Sequence, residues 1–380
     1  MQTLIKVLVP RQLLLLLILS TGLLNHVILI PNLLTAAGRD SWISVLVAYP
    51  ISFIFLWLIY YIVNNSPPEG FFSLIQKRFG RTFSIILSIP VVLFLFTSVY
   101  VTFRDLMIWL NAYFLADSST LMITIVLSIA CFMVTLAGIK HMAITSGFLL
   151  PVVMILGVFI SITNNSLKDP SLLLPIFSEG YAPILKGVIY TLSGLLEIYV
   201  VVLLKPFVQE KIKFRHLFIV VTIFTGLILG PLTASIMEFG TTESVNFRYP
   251  AYEQWRVLNI GEYINHLDFF ALFQWLSGAL IRIGLFMYLI GTFFTSRKNH
   301  YRLNPKLVGI LYFFLFGLML INIQSHHLFI SVYLFFLPAS LVFFLFQILL
   351  SVLLLLLIKK RDGRHDQTNE LESNTSESKA

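Results

Sequence analysis

The residues from Leu13 to Leu34 constrain the fold more than any other stretch of this chain. They read LLLLLILSTGLLNHVILIPNLL and contain no Asp, Glu, Lys or Arg. About 20 apolar residues, at a rise of ~1.5 Å each, cross the ~30 Å hydrocarbon core of a bilayer. Length and polarity therefore predict a transmembrane helix here.

The centre of this first span is weak for a helix in lipid. A backbone inside a bilayer must satisfy its own hydrogen bonds, so a weak centre is tolerated where protein or a wet cavity surrounds it. Discontinuous helices of this kind form substrate sites in secondary transporters. The alternative is a continuous span whose small residues pack on neighbouring helices. The residues concerned are Ser20, Thr21, Gly22, Asn25 and His26, followed by Pro31.

The composition places the whole chain in a membrane. Of its 380 residues, 58% are hydrophobic and 12% are charged, whereas soluble domains carry about 25% charged residues. We interpret the net charge of +8 as an excess of cytoplasmic Lys and Arg, not as a nucleic-acid surface. The one cysteine, Cys131, lies in an apolar run, so we expect no disulfide framework, metal site or cofactor.

Apolar segments predict ten spans in a membrane domain over 1–360, followed by a disordered cytoplasmic tail at 361–380. With this division, nineteen Lys and Arg residues lie on the side of the N-terminus, six lie opposite, and Arg282 lies within a span. The positive-inside rule then places both termini in the cytoplasm. The predicted spans are 13–34, 42–63, 83–107, 119–138, 142–163, 184–204, 215–237, 269–294, 306–323 and 328–358.

Two connecting segments have a pattern of their own. Residues 69–81 are too short to span a bilayer, and their spaced aromatics predict an interfacial helix. Residues 238–268 interleave acids with aromatics, which favours a structured loop with a gating or binding role over a solvated connector. The apolar segment 106–116 extends the third span or lies along the surface. The neighbours Arg104 and Asp105 point apart on a helix, so we expect helix-end or interface roles for them.

The sixth span has the same character as the first, with Thr191, Ser193, Gly194 and Glu197 at membrane depth. Five spans separate the starts of the two segments. The second therefore enters from the opposite side, as an inverted repeat requires.

Charged groups within spans are costly and usually face a cavity or a partner. Glu197 in the sixth span and Arg282 in the eighth are therefore candidates for a pair across the bundle, or each finds a partner nearby. His26 is a candidate to titrate or to bind ligand, with a packing role as the alternative.

Several motifs occur in an order that resembles a known family. Gly38–Arg39–Asp40–Ser41–Trp42 follows the first span, Gly194–Leu195–Leu196–Glu197 lies in the sixth, and Asn259–Ile260–Gly261–Glu262 precedes the eighth. Over residues 12–360 the chain is similar to the spore-germination permease family. These proteins are the B subunits of bacterial nutrient-germinant receptors, within the amino acid–polyamine–organocation superfamily.

The resemblance implies an all-α membrane protein with a LeuT-like five-plus-five inverted repeat. Its first and sixth helices would be broken, and the ligand site would lie between them, lined also by the third and eighth spans. The candidate ligand-binding residues are Thr21, Gly22, Asn25, His26, Ser193, Gly194, Glu197, Gly278 and Arg282.

The resemblance also implies a receptor that senses a small nutrient, commonly an amino acid. It would act with a membrane A subunit and a lipoprotein C subunit in the inner membrane of a dormant spore. An amino-acid transporter coupled to protons or sodium is the alternative, with Glu197 or His26 carrying the proton. We expect no enzyme, because no Gly-x-Ser-x-Gly, His-x-x-x-x-Asp or metal-spaced His pattern occurs, and a mere scaffold would not need polar breaks in both halves.

Overall fold

The computed structural model describes residues 7–261, 266–293 and 303–377, with side chains as far as Asp362. Glu262, the last residue of one motif above, lies outside the described residues. The described ranges contain α-helices, short 3₁₀ and π segments and one isolated β-bridge. The α-helices are α1 Pro10–Leu23, α2 Leu29–Ala37, α3 Ser41–Asn65, α4 Phe71–Phe79, α5 Arg81–Tyr113, α6 Thr120–Thr163, α7 Tyr181–Leu195, α8 Val200–Leu204, α9 Phe214–Asn246, α10 Pro250–Arg256, α11 Phe269–Phe293, α12 Pro305–Met319, α13 Ser325–Ser331 and α14 Leu337–Glu377.

The predicted multi-pass membrane architecture is confirmed. Within the described ranges, seven helical stretches are long and apolar enough to cross a membrane. Two of these, Pro10–Asn65 and Thr120–Leu167, each hold two predicted spans, because Gly38 (φ 50°) and Gly138 (φ 83°) interrupt them in a conformation that favours glycine. With the shorter α12, the ten predicted helices are all present. The inverted repeat and the side on which the termini lie stay predictions.

The first and sixth spans occupy the middle of the bundle. In the most apolar window of Tyr181–Phe207, 94% of residues are buried, against 33% in that of Thr120–Leu167. Helix α1 packs on α6, α9 and α11, and α7 packs on α3 and α14. The polar residues of both central spans are therefore surrounded by protein, as the backbone's need for partners requires.

Both central spans depart from α-helical geometry where the sequence predicts it. Leu24–Ile28 between α1 and α2 is a π-helical turn, and Leu196–Tyr199 between α7 and α8 is a 3₁₀ turn. Pro31 lacks an N–H for the carbonyl one turn before it, which accounts for the altered hydrogen bonding just upstream. Neither span is fully unwound, so each interruption is a change of helix type.

The shorter elements follow from local contacts. Helix α4 buries Phe71 and Ile75 on one face, as an interfacial helix would. Helix α5 runs to Tyr113, so the apolar segment after the third span extends it. Arg104 serves a helix end, since its Nη2 donates to the carbonyls of Leu318 and Ile321 at the end of α12, at 2.7 and 2.8 Å.

The N-terminal end of the membrane domain is held against the end of the sixth span. Leu8 forms the isolated parallel bridge with Val208: its N–H donates to Phe207 O at 3.0 Å, and its carbonyl accepts from Gln209 N at 2.8 Å. At the other end, α14 continues to Glu377, through a segment for which the sequence predicts disorder. No proline follows Pro338 to interrupt it. The domain boundary at 360 stays a prediction.

Candidate binding site

A cavity of about 430 Å³ lies beside the interruption of the first span. Its inner wall is the face of α1 and the π turn that carries Gly22, His26 and Val27. The second half of α6, the middle of α9 and the first turns of α11 form the other walls. The cavity therefore extends from the centre of the bundle toward the end at which α9 is followed by α10.

Helix α10 covers that end of the cavity and is held from several sides. The Tyr252 hydroxyl donates to Asp268 Oδ2 at 3.0 Å, and Gln254 Nε2 donates to Pro231 O at 2.8 Å. Arg248, just before α10, forms an ion pair with the buried Asp105 of α5. Burial, and secondarily the hydrogen bond to Asp268, raises the pKa of Tyr252, so its hydroxyl stays a neutral donor.

The cavity wall is apolar and carries few polar groups. Its described lining includes no Asp, Glu, Lys or Arg. The His26 ring is partly buried, with Nδ1 3.4 Å from Leu227 O. Trp255 and Trp275 line the cavity, and each is at most 5% exposed. Such a wall suits a small ligand with an apolar body and few polar atoms.

A buried ion pair lies on another face of the first span. Arg282 Nη2 of α11 donates to Glu197 Oε1 at 2.6 Å, and both side chains are 0% exposed. Arg282 also donates through Nε to Thr102 Oγ1 of α5, at 3.0 Å, and through Nη1 to Ser20 O of α1, at 3.3 Å. One guanidinium thus links the first, third, sixth and eighth spans.

The predicted site residues divide into two groups. Gly22, His26 and Gly278 line the cavity, whereas Glu197 and Arg282 do not and are engaged with each other. Residues 22 and 26 share a helix face because they stand four apart. The cavity and the ion pair are therefore separate environments that share the first span as a wall.

The other four predicted residues also lie outside the cavity lining. The hydroxyls of Thr21 and Ser193 donate to carbonyls of their own helices, Leu17 O and Tyr190 O, both at 2.6 Å. Asn25 packs on Gly194, because a Cβ added to Gly194 would collide with Asn25 Oδ1. This contact joins the interruption of the first span to the sixth.

The sequence did not single out most of the cavity lining. Trp255 on α10 and Trp275 on α11 stand out only as aromatics in or near the long polar connector. Gly226 and Gly230 on α9 form a Gly-x-x-x-Gly pattern, a signal of close approach between membrane helices that would have marked this helix for attention.

The fold and the site together define a class: this is a multi-pass helical membrane protein with a cavity at the interrupted centre of its first span. The chain belongs to the spore germination protein family, whose model matches residues 8–327. It is 37% identical to spore germination protein XB of Bacillus anthracis over 342 residues, 90% of this chain and 96% of that relative. It is 23% identical to spore germination protein KB of Bacillus subtilis (strain 168) over 291 residues, 72% of this chain and 76% of that relative.

Proposed function

We propose that this protein is a membrane subunit of a spore nutrient-germinant receptor, located in the spore inner membrane, that binds a small nutrient in the cavity beside Gly22 and His26. The nutrient is an amino acid, and binding triggers germination through a membrane A subunit and a lipoprotein C subunit. Membership of the spore germination family supports the role. The single observation that carries the site is the cavity of about 430 Å³ against the interrupted first span.

The interrupted first span connects the cavity to the rest of the bundle. The face with Gly22 and His26 lines the cavity, while the carbonyl of Ser20, about half a turn before Gly22, accepts a hydrogen bond from Arg282. A ligand that presses on this wall changes the geometry of a carbonyl on which the ion pair depends. It shifts the balance between two arrangements of the bundle by its difference in affinity for them.

Glu197 acts in this proposal as a positioning residue for Arg282. Because it lies outside the cavity lining, it does not meet the ligand's ammonium group, which instead faces backbone carbonyls at the interrupted helix. The ion pair holds four spans in register and transmits the movement of the first span toward the partner subunits.

Complementation of spores that lack this chain tests the proposal. Wild-type protein should restore germination with one or more individual amino acids, followed as loss of optical density. Trp275→Leu, on the cavity wall, should raise the half-maximal concentration about tenfold, the equivalent of ~1.4 kcal/mol. Trp57→Leu is the matched control, since Trp57 is 58% exposed on the outside of the bundle, and immunoblots check that both variants reach the membrane.

A response that is identical in spores with and without the chain would contradict the receptor role. A Trp275→Leu variant indistinguishable from Trp57→Leu would contradict the site. Uptake of labelled amino acid into proteoliposomes containing this chain alone separates receptor from transporter, because accumulation driven by a proton or sodium gradient would favour transport.

A further inference from the structure

We propose that Gly226 and Gly230 of α9, with Gly157 of α6, are the specificity-determining residues of this cavity: their missing side chains leave the slot that receives the apolar side chain of an uncharged ligand. The inference rests on the proposed function and names the ligand class for the same site. The three glycines line the cavity from two helices, α6 and α9.

These glycines have no packing role in the described structure. A Cβ built on any of the three would meet no heavy atom within 4 Å. By contrast, a Cβ on Gly284 would lie 2.6 Å from Val134 Cγ1, so close packing explains that glycine. Glycine within a helix costs about 0.5–1 kcal/mol relative to alanine. The open glycines therefore cost stability without any contact that offsets the loss.

A row of small residues alone would indicate a surface for another helix. Here the row borders a half-open cavity whose wall also carries two polar groups suited to a ligand. Trp255 and Trp275 are 3% and 5% exposed, they line the cavity, and neither indole N–H donates a hydrogen bond to another described residue. In this proposal both N–H groups donate to an acceptor on a small molecule in the cavity.

The electrostatics restrict which small molecule fits. An isolated charge without a partner pays a large desolvation cost, and the described lining has no Asp, Glu, Lys or Arg to offset it. A neutral amino acid has no net charge. Its carboxylate can accept from the indole N–H groups, and its ammonium group can donate to backbone carbonyls. Its apolar side chain then lies against the aromatic faces and in the slot between α6 and α9.

Thermal unfolding of the purified full chain in detergent tests the inference with named probes: L-alanine, L-leucine, L-phenylalanine, L-lysine and L-glutamate at matched concentrations. The neutral three should raise the melting temperature of the wild type, and the charged two should not. Gly230→Ala should weaken apparent affinity for L-leucine and L-phenylalanine about tenfold while sparing L-alanine, and Gly230→Leu should abolish all three responses.

Gly317→Leu is the matched control, because a Cβ there also meets nothing within 4 Å but the residue lies on α12, away from the cavity. It should leave every response unchanged. If wild type responds to neutral amino acids and Gly230→Leu responds equally, the glycine assignment fails and the proposed function stands. Equal stabilisation by L-lysine or L-glutamate overturns the ligand class, and no response of the wild type to any neutral probe overturns both proposals.

Discussion

Gly22 and His26 line a cavity whose described lining has no Asp, Glu, Lys or Arg. Ser20, in the same span, instead contacts a fully buried ion pair. On the cavity side, glycines and aromatic rings surround a space of about 430 Å³. On the ion-pair side, Arg282 donates hydrogen bonds to Glu197, Thr102 and the Ser20 carbonyl, and the pair is fully buried. This difference teaches that polar residues at membrane depth have two kinds of surroundings here: some link helices of the bundle, and others border a cavity.

The largest effect should come from breaking the ion pair. Glu197→Ala leaves Arg282 charged and buried without its partner, which we expect to cost about 3–5 kcal/mol of stability. Thermal unfolding in detergent and protein levels in the membrane measure this loss. The double variant Glu197→Leu/Arg282→Met removes both charges and should recover much of it.

Arg78→Ala is the control for the ion-pair variants, because the Arg78–Asp362 pair is 46% and 43% exposed and exposed pairs contribute about 0–1 kcal/mol. If Glu197→Ala and Arg78→Ala unfold at the same temperature, the tight, structural character assigned to the Glu197 side is wrong.

A middle-sized effect is expected where the two interrupted spans touch. Gly194→Ala places a methyl group against Asn25 Oδ1 and 2.9 Å from Leu29 Cδ2, and overpacking of this kind costs about 1–3 kcal/mol. Asn25→Ala in the same protein removes the main collision. We therefore expect the double variant to be more stable than the sum of the single effects allows, as a double-mutant cycle of melting temperatures would show.

Additive losses in that cycle would mean that Asn25 and Gly194 are not in contact. The contact between the first and sixth spans would then lie elsewhere along the two helices.

The smallest stability effect should come from the cavity side. His26→Leu removes one long contact to Leu227 O, worth about 1 kcal/mol or less, so the melting temperature should change little. The amino-acid concentration that half-saturates germination should nevertheless rise. His141→Leu is the control, since His141 is exposed and bonds only within its own helix among described residues. A large loss of stability with His26→Leu would make His26 a packing residue.

Much of the fold could be predicted from sequence because lipid imposes simple rules. Apolar length predicts the spans, and polar residues such as Ser20 and Glu197 mark the helices that protein must surround. The orientation of neighbouring residues could not be predicted in the same way. His26 and Asn25 are adjacent in the chain and equally polar, yet one lines the cavity and the other packs on Gly194. The rotation of the helix, which depends on packing against every neighbour, decides between them.

The candidate site shows the same limit at long range. The Glu197–Arg282 pair was one of two open alternatives because nothing in the sequence measures the distance between the sixth and eighth spans. The cavity itself depends on a gap between α6 and α9, and a gap leaves no residue pattern except the small residues at its edge. Gly226 and Gly230 were such a pattern, but glycine pairs more often indicate close packing.

The bridge between Leu8 and Val208 connects the two central spans at one end. It joins the beginning of the first span to the end of the sixth, on the face of the molecule opposite α10. From Pro10 to Ala37 the first span is about 42 Å long, and the cavity borders it near the middle of that length. If the span moves as a rigid body about this contact, a ligand that displaces its middle should displace its far end about twice as far. We therefore expect a small adjustment around a bound molecule to become a larger movement next to Gly38.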